Sequence, residues 1–306
     1  MDINVINLSD TKDRDEIYQL WGSVLGDIWP VEKQNFDEVV FDHNSKNFVV
    51  KNGSEIIGHL STQLSGETAA LVCILVNKAH QRKGVGTKLI EEATNKLKQQ
   101  GTKEISLGSG GYSYFWPGVP KNLDSAIKFF DKLGWQYSET SVDMTTKLKE
   151  YETPRSVIER TNNLGITFEL AKNEQIKDIL DFEKKNFPNW YKYFSSTVDK
   201  NELDNILIAK SSQSKILGSV LIDRDKKVWS RLLGDKVGAL GALGVSEDAR
   251  GQGVGLGLAA KGTEILKASG VDVCYLGWTW LIDWYGKLGY KVWREYQMST
   301  KIFDHL

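Results

Sequence analysis

Leu240-Gly241-Ala242-Leu243-Gly244-Val245, then Ser246-Glu247-Asp248-Ala249, then Arg250-Gly251-Gln252-Gly253-Val254-Gly255-Leu256 is the stretch that determines how the rest of the chain reads. The apolar run has the length of a buried strand, and the glycines stand just before a helical pattern over Gly255–Ala268. Nearer the N-terminus the same order occurs. Leu71-Val72-Cys73-Ile74-Leu75-Val76 is followed by four residues, then by Gln81-Arg82-Lys83-Gly84-Val85-Gly86 and a helical pattern over Gly86–Gln99. A strand that passes through glycines into a helix offers unblocked main-chain N–H groups and the positive end of the new helix, a pair suited to a pyrophosphate. One such turn is weak evidence of a ligand, but two in one chain make a repeat.

A second echo follows each turn. Phe129-Phe130-Asp131-Lys132-Leu133-Gly134-Trp135 answers Trp284-Tyr285-Gly286-Lys287-Leu288-Gly289-Tyr290. The spacing from turn to echo is longer in the first half, which places an insertion there, at Gly108–Asn122. The other elements also come twice. Each half opens with a strand and a helix (Asn4–Leu8 and Asp13–Leu25; Thr167–Leu170 and Glu174–Lys185). A strand pair follows (Phe48–Lys51 and Ile56–Gln63 about Asn52-Gly53; Ile206–Lys210 and Ile216–Ile222). After the glycine turn and its helix, Gly101 and Gly270 read as C-terminal caps. A strand (Glu104–Leu107; Asp272–Leu276), the Lys-Leu-Gly helix and a last strand (Ser141–Leu148; Gln297–Ile302) close each half. This order predicts two layered α/β (α+β) domains, each a mixed twisted sheet flanked by helices. The glycines follow the fourth strand, whereas a dinucleotide fingerprint follows the first, and Gly86-Thr87-Lys88 lacks the upstream spacing of a P-loop.

Length agrees with two domains: 306 residues, at roughly 100–150 per domain. The expected division is 1–150 and 164–306. Residues 151–163 form a linker of mixed charge, with Pro154 and room for a helical turn after it. With 41% hydrophobic and 26% charged residues the composition is globular. The net charge of −1 supplies no bulk field for nucleic acid or an anionic membrane. The apolar runs are about half the ~20 residues a membrane helix needs, and Met1-Asp2-Ile3-Asn4 does not resemble a secretory signal. Cys73 and Cys274 lie in separate apolar runs and read as buried thiols in a reducing cytoplasm, so a cytoplasmic protein is expected. His43, His59, His80 and His305 lack metal-ligand spacing, so no metal is expected.

On Gln81–Gly86, Arg250–Gly255 and the two Lys-Leu-Gly echoes, the sequence resembles the GCN5-related N-acetyltransferase (GNAT) superfamily, across nearly all of each half. The tandem arrangement, with Phe115-Trp116-Pro117-Gly118-Val119-Pro120 in the insertion, is similar to two-domain bacterial glucosamine/glucosaminide N-acetyltransferases. The resemblance implies acetyl-CoA as cofactor. Its pyrophosphate would sit on Arg250, Gly251, Gln252, Gly253, Val254, Gly255 and Leu256, and in the first half on Gln81, Arg82, Lys83, Gly84, Val85 and Gly86. Its pantetheine arm would lie along Leu243 and Val245, or Ile74 and Val76. It also implies a tyrosine that protonates the departing thiolate. Tyr285 occupies that position in the second half, and Phe130 in the first, which has no proton to donate.

Catalysis is therefore expected in the second half. For the first half two roles stay open: binding CoA on its intact turn, or completing the other half's substrate pocket. Direct attack by an amine needs no covalent enzyme intermediate, and no Cys-His or Ser-His pair suits one. Asp283 is the candidate base; a substrate-binding or helix-capping role is the alternative. The ten tryptophans suggest the acceptor: Trp190, Tyr191, Trp278, Trp280, Trp284 and, in the first half, Trp116 are candidate faces for a sugar ring or a cationic amine. Packing between the halves would also account for them. An amino-sugar acceptor, glucosamine or its oligomers, is the favoured expectation. Another small amine (an aminoglycoside, a polyamine, a mycothiol-type precursor) is the alternative, and a non-catalytic CoA-binding scaffold is the contrasting class. The sequence does not fix the oligomeric state.

Overall fold

The computed structural model describes residues 5–7, 13–108, 114–162 and 165–303. Met1, Asp2, Ile3, Asn4, Leu8, residues 109–113 of the insertion, Asn163 and His305 enter the expectations above and lie outside the described residues. The chain divides into two units, one of residues 1–142 with 294–306, the other of residues 143–293.

In order the elements are β1 (Val5–Asn7), α1 (Arg14–Leu25), α2 (Lys33–Val40), β2 (Ser45–Asn52), β3 (Glu55–Ser65), β4 (Thr68–Val76), α3 (Val85–Gln99), β5 (Glu104–Leu107), β6 (Val119–Pro120), α4 (Asp124–Lys132) and β7 (Glu139–Lys147). Then come α5 (Arg155–Asn162), β8 (Thr167–Leu170), α6 (Ile176–Asn186), α7 (Tyr191–Asp199), β9 (Ile206–Lys210), β10 (Ile216–Asp223) and α8 (Ser230–Leu233). The last are β11 (Val237–Val245), α9 (Val254–Ala268), β12 (Val273–Thr279), α10 (Ile282–Gly286), β13 (Lys291–Met298) and β14 (Thr300–Ile302). Among the described residues no helix is long and apolar enough to cross a membrane.

The first unit has strand order β1-β2-β3-β4-β5-β14. Its first four strands are antiparallel neighbours, β4 and β5 run parallel, and β14 closes the edge antiparallel to β5. The parallel step is made by α3, whose Val85, Leu89, Ala93 and Leu97 recur every fourth residue and pack on Phe48, Val50, Ile57 and Leu60. Each of the larger side chains contributes roughly 1.5–3 kcal/mol by leaving water. The second unit repeats the arrangement. Strands β8-β9-β10-β11-β12 follow in that order, with the 143–147 part of β7 beside β12, where Leu148 N donates to Asp272 O at 2.8 Å. Its parallel step is made by α9. That helix lies close: a Cβ on Gly262 would stand 2.8 Å from Leu240, and one on Gly257 2.4 Å from Phe168.

Two expectations change here. The sequence order has Ser141–Leu148 and Gln297–Ile302 each close its own half. Instead β14 completes the first unit, and residues 143–147 complete the second. A strand's own pattern fixes its existence, not the sheet edge it joins. The segment after Pro154 is also more than one turn: α5 has 8 residues, and it packs on α9.

The glycines expected to end helices do so. Gly101 (φ 81°) and Gly270 (φ 81°) follow α3 and α9, with Thr102 N donating to Leu97 O and Val271 N to Leu266 O. The Lys-Leu-Gly echo has the same basis. Gly134 (φ 75°) and Gly289 (φ 81°) reverse the chain so that Trp135 N reaches Phe130 O and Tyr290 N reaches Tyr285 O. The repeated motif is thus a helix stop that anchors the main chain of residue 130 or 285. Both cysteines are buried, and burial pushes each thiol up to about 12. His59 is buried against Asn47 Oδ1 at 2.8 Å and held neutral, at about 3.

Candidate active site

The two glycine turns have matching geometry. Gly84 (φ 85°) and Gly253 (φ 107°) are the N-caps of α3 and α9, and two residues earlier Arg82 (φ 62°) and Gly251 (φ 75°) are also left-handed. The first motif residue ties the turn to the end of the strand: Gln81 Nε2 donates to Val76 O at 3.0 Å, and Arg250 Nε to Val245 O at 3.1 Å. In each helix the first-turn N–H groups (Val85, Gly86 and Thr87; Val254, Gly255 and Leu256) have no partner within the helix and lie at its positive end.

Gly86 and Gly255 let the helix start lie close between a strand and a ring, so a side chain there would have to push these neighbours aside. A Cβ on Gly86 would stand 3.2 Å from the Phe129 ring, and one on Gly255 would stand 3.2 Å from Val245 and 3.3 Å from Trp284. Leu243, at 3.6 Å, completes that cradle. From it the second unit leads straight to the phenol, since the Trp284 ring stands edge-on to Tyr285 with centroids 4.7 Å apart. Trp284, expected to stack on a substrate, is half-buried in this wall.

In both units the parallel ladder ends early and the strands part. β4 and β5 pair from Thr68↔Glu104 to Leu71↔Leu107, after which β4 continues to Val76. β11 and β12 pair from Val237↔Val273 to Ala239↔Tyr275, and β11 continues to Val245. Beyond each parting a bulge breaks the other ladder, where Ser61 faces Cys73 but Thr62 faces Leu71, and Ser219 faces Gly244 but Leu221 faces Gly241. Such a bulge takes a residue out of the ladder; in β11 Ala242 has φ 48°. The cleft in the first unit encloses about 240 Å³, with Ile74, Val76, Arg82, Gly86, Phe130 and Trp116 in its wall.

Tyr285 is buried, and desolvation, aided by the Cys274 thiol, pushes its phenol up to about 12. Tyr290 lies behind it, its hydroxyl 2.7 Å from Thr263 Oγ1 and 3.1 Å from Cys274 Sγ. Asp283 is exposed in the first turn of α10. Trp278 and Trp280 are 38% and 46% exposed, their rings 6.3 Å apart. Leu281 and Ile282 extend this apolar surface to the start of α10. Trp190 stacks on Phe187 at 5.1 Å, and the Phe187 ring covers Gly244, whose Cβ would stand 2.4 Å from it; Tyr191 is half-buried beside Trp190.

Trp116 differs from the expectation of an open stacking face. It is buried, stacked on Trp21 at 5.6 Å and edge-on to Trp29 at 5.3 Å, while Phe115 stacks on Phe36 at 6.0 Å. The insertion places these rings against α1 and α2 in the core of the first unit.

Three features of the second unit were not anticipated. Arg160 on α5 donates from Nη2 to Gly251 O at 2.6 Å and from Nε to Gln252 O at 3.3 Å. Asp143 on β7 is fully buried and accepts from Trp278 N and from the Tyr275 hydroxyl. Glu183 on α6 is fully buried and accepts from the Ser219 hydroxyl, while its Oε2 has no partner; desolvation raises its carboxyl to about 7. Only Glu183 carried a sequence signal: it continues the buried face Ile176–Ile179 at helical spacing.

Several solved structures are similar over nearly the whole chain, and three of them describe the likeness. A fungal multi-domain GH3 β-N-acetylglucosaminidase, which has a GCN5-related glucosamine N-acetyltransferase region, is 26% identical, with a TM-score of 0.92 covering 98% of this chain and 38% of that one. The chain therefore spans well under half of that protein's length. A GCN5-related N-acetyltransferase from Sphaerobacter thermophilus is 14% identical, with a TM-score of 0.72 over 97% of this chain and 95% of that one. A tandem GNAT protein from the clavulanic acid biosynthesis pathway is 13% identical, with a TM-score of 0.68 over 98% of each chain. No curated protein sequence matches the chain. The sequence model of the acetyltransferase (GNAT) family matches residues 14–135 and 172–290, once in each half, and the chain belongs to that family.

Proposed function

We propose that this protein is an acetyl-CoA-dependent N-acetyltransferase that works from its second unit on the amine of an amino sugar. The observation that carries this reading is the continuous wall from the glycine cradle to a phenol: Gly255 against Trp284, and Trp284 against Tyr285. The first unit keeps the cradle, with Phe129 against Gly86, but has Phe130 in place of the phenol. Its insertion also packs Phe115 and Trp116 against the rings of α1 and α2, which leaves Trp116 in the wall of the first unit's cleft rather than as an open face.

When bound, acetyl-CoA supplies a thioester whose carbonyl carbon accepts the amine. The residues around Gly253 hold the diphosphate with main-chain N–H groups. Leu243 and Val245 give the pantetheine arm a strand edge, and the β11 bulge leaves a main-chain group outside the ladder for the thioester oxygen. Tyr285 donates a hydrogen bond to the leaving sulfur. At about 12 its phenol is a weaker acid than a thiol, with a pKa of roughly 8.5. It therefore stabilises the developing thiolate, and the proton that ends on sulfur is the one the amine gives up. Asp283, open to solvent, takes that proton and passes it on.

The amino-sugar acceptor is supported by the exposed Trp278–Trp280 pair on the segment leading to Tyr285, since indole faces pack on the C–H faces of sugar rings. It is also supported by the 26% identical neighbour with its glucosamine N-acetyltransferase region. CoA release, measured with glucosamine, chitosan oligomers, a polyamine and an aminoglycoside, tests the reading. Glucosamine or its oligomers should give the highest kcat/KM. A preference for the polyamine or the aminoglycoside would replace the acceptor, and no release with any amine would point to the scaffold alternative.

A further inference from the structure

The charges around the two turns are not alike. From strand end to N-cap the first turn carries Lys78, Arg82 and Lys83 and no acid. The second carries Glu247 and Asp248 against Arg250 alone, and the Arg250 Nε is committed to Val245 O. A diphosphate with a further phosphate on the adenosine side is a polyanion, and a turn with two carboxylates attracts it poorly. Lys215 neutralises one of them, its Nζ 2.6 Å from Asp248. The positions of Arg82 and Lys83 are taken by Gly251 and Gln252, which bring no charge.

Arg160 reaches this same place from another element. Its guanidinium is tied to the carbonyls of Gly251 and Gln252, and its stem lies where a Cβ of Gly253 would be, 2.6 Å from Nε. Among the described residues it makes no ion pair, and it is exposed. Two of its five N–H donors are used by the carbonyls, and the rest stay open to an anion on the turn. We infer that Arg160 is a cofactor-binding residue of the second unit, supplying from α5 the cation that the first turn carries in its own sequence. This rests on the reading of the Gly253 turn as the working acetyl-CoA site. It also gives α5 a role beyond linking the halves: it carries part of the site.

The test is CoA binding by calorimetry and the KM for acetyl-CoA in turnover, on the full chain. Arg160→Gln should raise the acetyl-CoA KM about fivefold to tenfold, the usual scale of one charge-assisted contact to phosphate, leave kcat unchanged, and flatten the salt dependence of KM. Arg160→Lys should stay within about threefold of the parent, because charge is kept while the carbonyl clamp is lost. Placing the first turn's cations in the second, with Gly251→Arg and Gln252→Lys in the Arg160→Gln background, should restore affinity. Unchanged KM in Arg160→Gln, or no recovery in the combined variant, would overturn the inference. Gly253→Val separates the two readings: loss of CoA binding there but not in Arg160→Gln removes only the role of Arg160, whereas no loss in either removes the site itself.

Discussion

Asp143 accepts the main-chain N–H of Trp278 through Oδ1 at 2.8 Å, and its Oδ2 accepts the hydroxyl of Tyr275 at the same distance. Trp278 needs such a partner. Its φ of 52° is a left-handed conformation that costs a non-glycine residue about 1–3 kcal/mol, and a charge-assisted hydrogen bond contributes a similar amount. The buried carboxylate thereby holds the strand end so that the Trp278 ring faces solvent beside Trp280. Asp143→Asn should raise the acceptor KM several-fold and shift the tryptophan emission, leaving the acetyl-CoA KM unchanged. An equal rise in both KM values would mean that Asp143 supports the whole unit and not the aromatic surface.

Tyr285→Phe copies the first unit's Phe130 into the second and keeps the ring contacts with Trp284 and Tyr290. The expected result is a fall in kcat of about 10²-fold, the scale of losing one donor to a developing negative charge, with CoA affinity within twofold. The pH profile is informative as well. A phenol at about 12 is protonated at every ordinary assay pH, so kcat in the parent should show no alkaline loss below about pH 10. A basic limb near pH 8–9 that vanishes in Tyr285→Phe would contradict the burial-raised phenol.

The two cradles separate the roles of the units. Gly255→Val would press on Val245 and Trp284, and should abolish both turnover and the second unit's CoA binding. Gly86→Val would press on Phe129 and Val76, and should remove one equivalent of CoA binding if the first unit's cleft takes the cofactor, and none if its role is structural. If the second unit alone performs transfer, turnover should survive that change. Calorimetric stoichiometry alongside kcat checks both, and loss of turnover in folded Gly86→Val would move catalysis to the first unit.

What was legible in the sequence was local. The turns at Gly84 and Gly253 and the stops at Gly134 and Gly289 are written in neighbouring residues, because a left-handed φ at a helix end favours glycine, which adopts it without steric cost. What the sequence hid was long-range. Residues 143–147 and β14 look like any last strand, and nothing in their alternation names a sheet edge. Arg160 sits in a segment of mixed charge that reads as solvated, and only packing of α5 on α9 brings it to Gly251. Trp116 carries the same aromatic signal as Trp280, yet one is core and the other surface. Residue type predicts a ring's chemistry, and its neighbours determine whether solvent reaches it.

Glu183 gives a prediction for stability. Its carboxyl is raised in the folded chain from 4.5 to about 7, mainly by desolvation, with the Ser219 hydroxyl bond opposing. Between those values the folded state holds a proton that the unfolded state has released, so unfolding free energy falls as pH rises through that window and levels off above about 7. A shift of this size corresponds to about 3 kcal/mol between the two plateaus. Glu183→Gln keeps an acceptor for Ser219 and removes the titration. Urea unfolding at pH 5 and pH 8 should show the parent losing stability between the two, and the variant losing much less, so that the variant is the more stable protein at pH 8. Parallel pH dependence in the two would mean that water reaches the carboxyl and that Glu183 is not the group responsible.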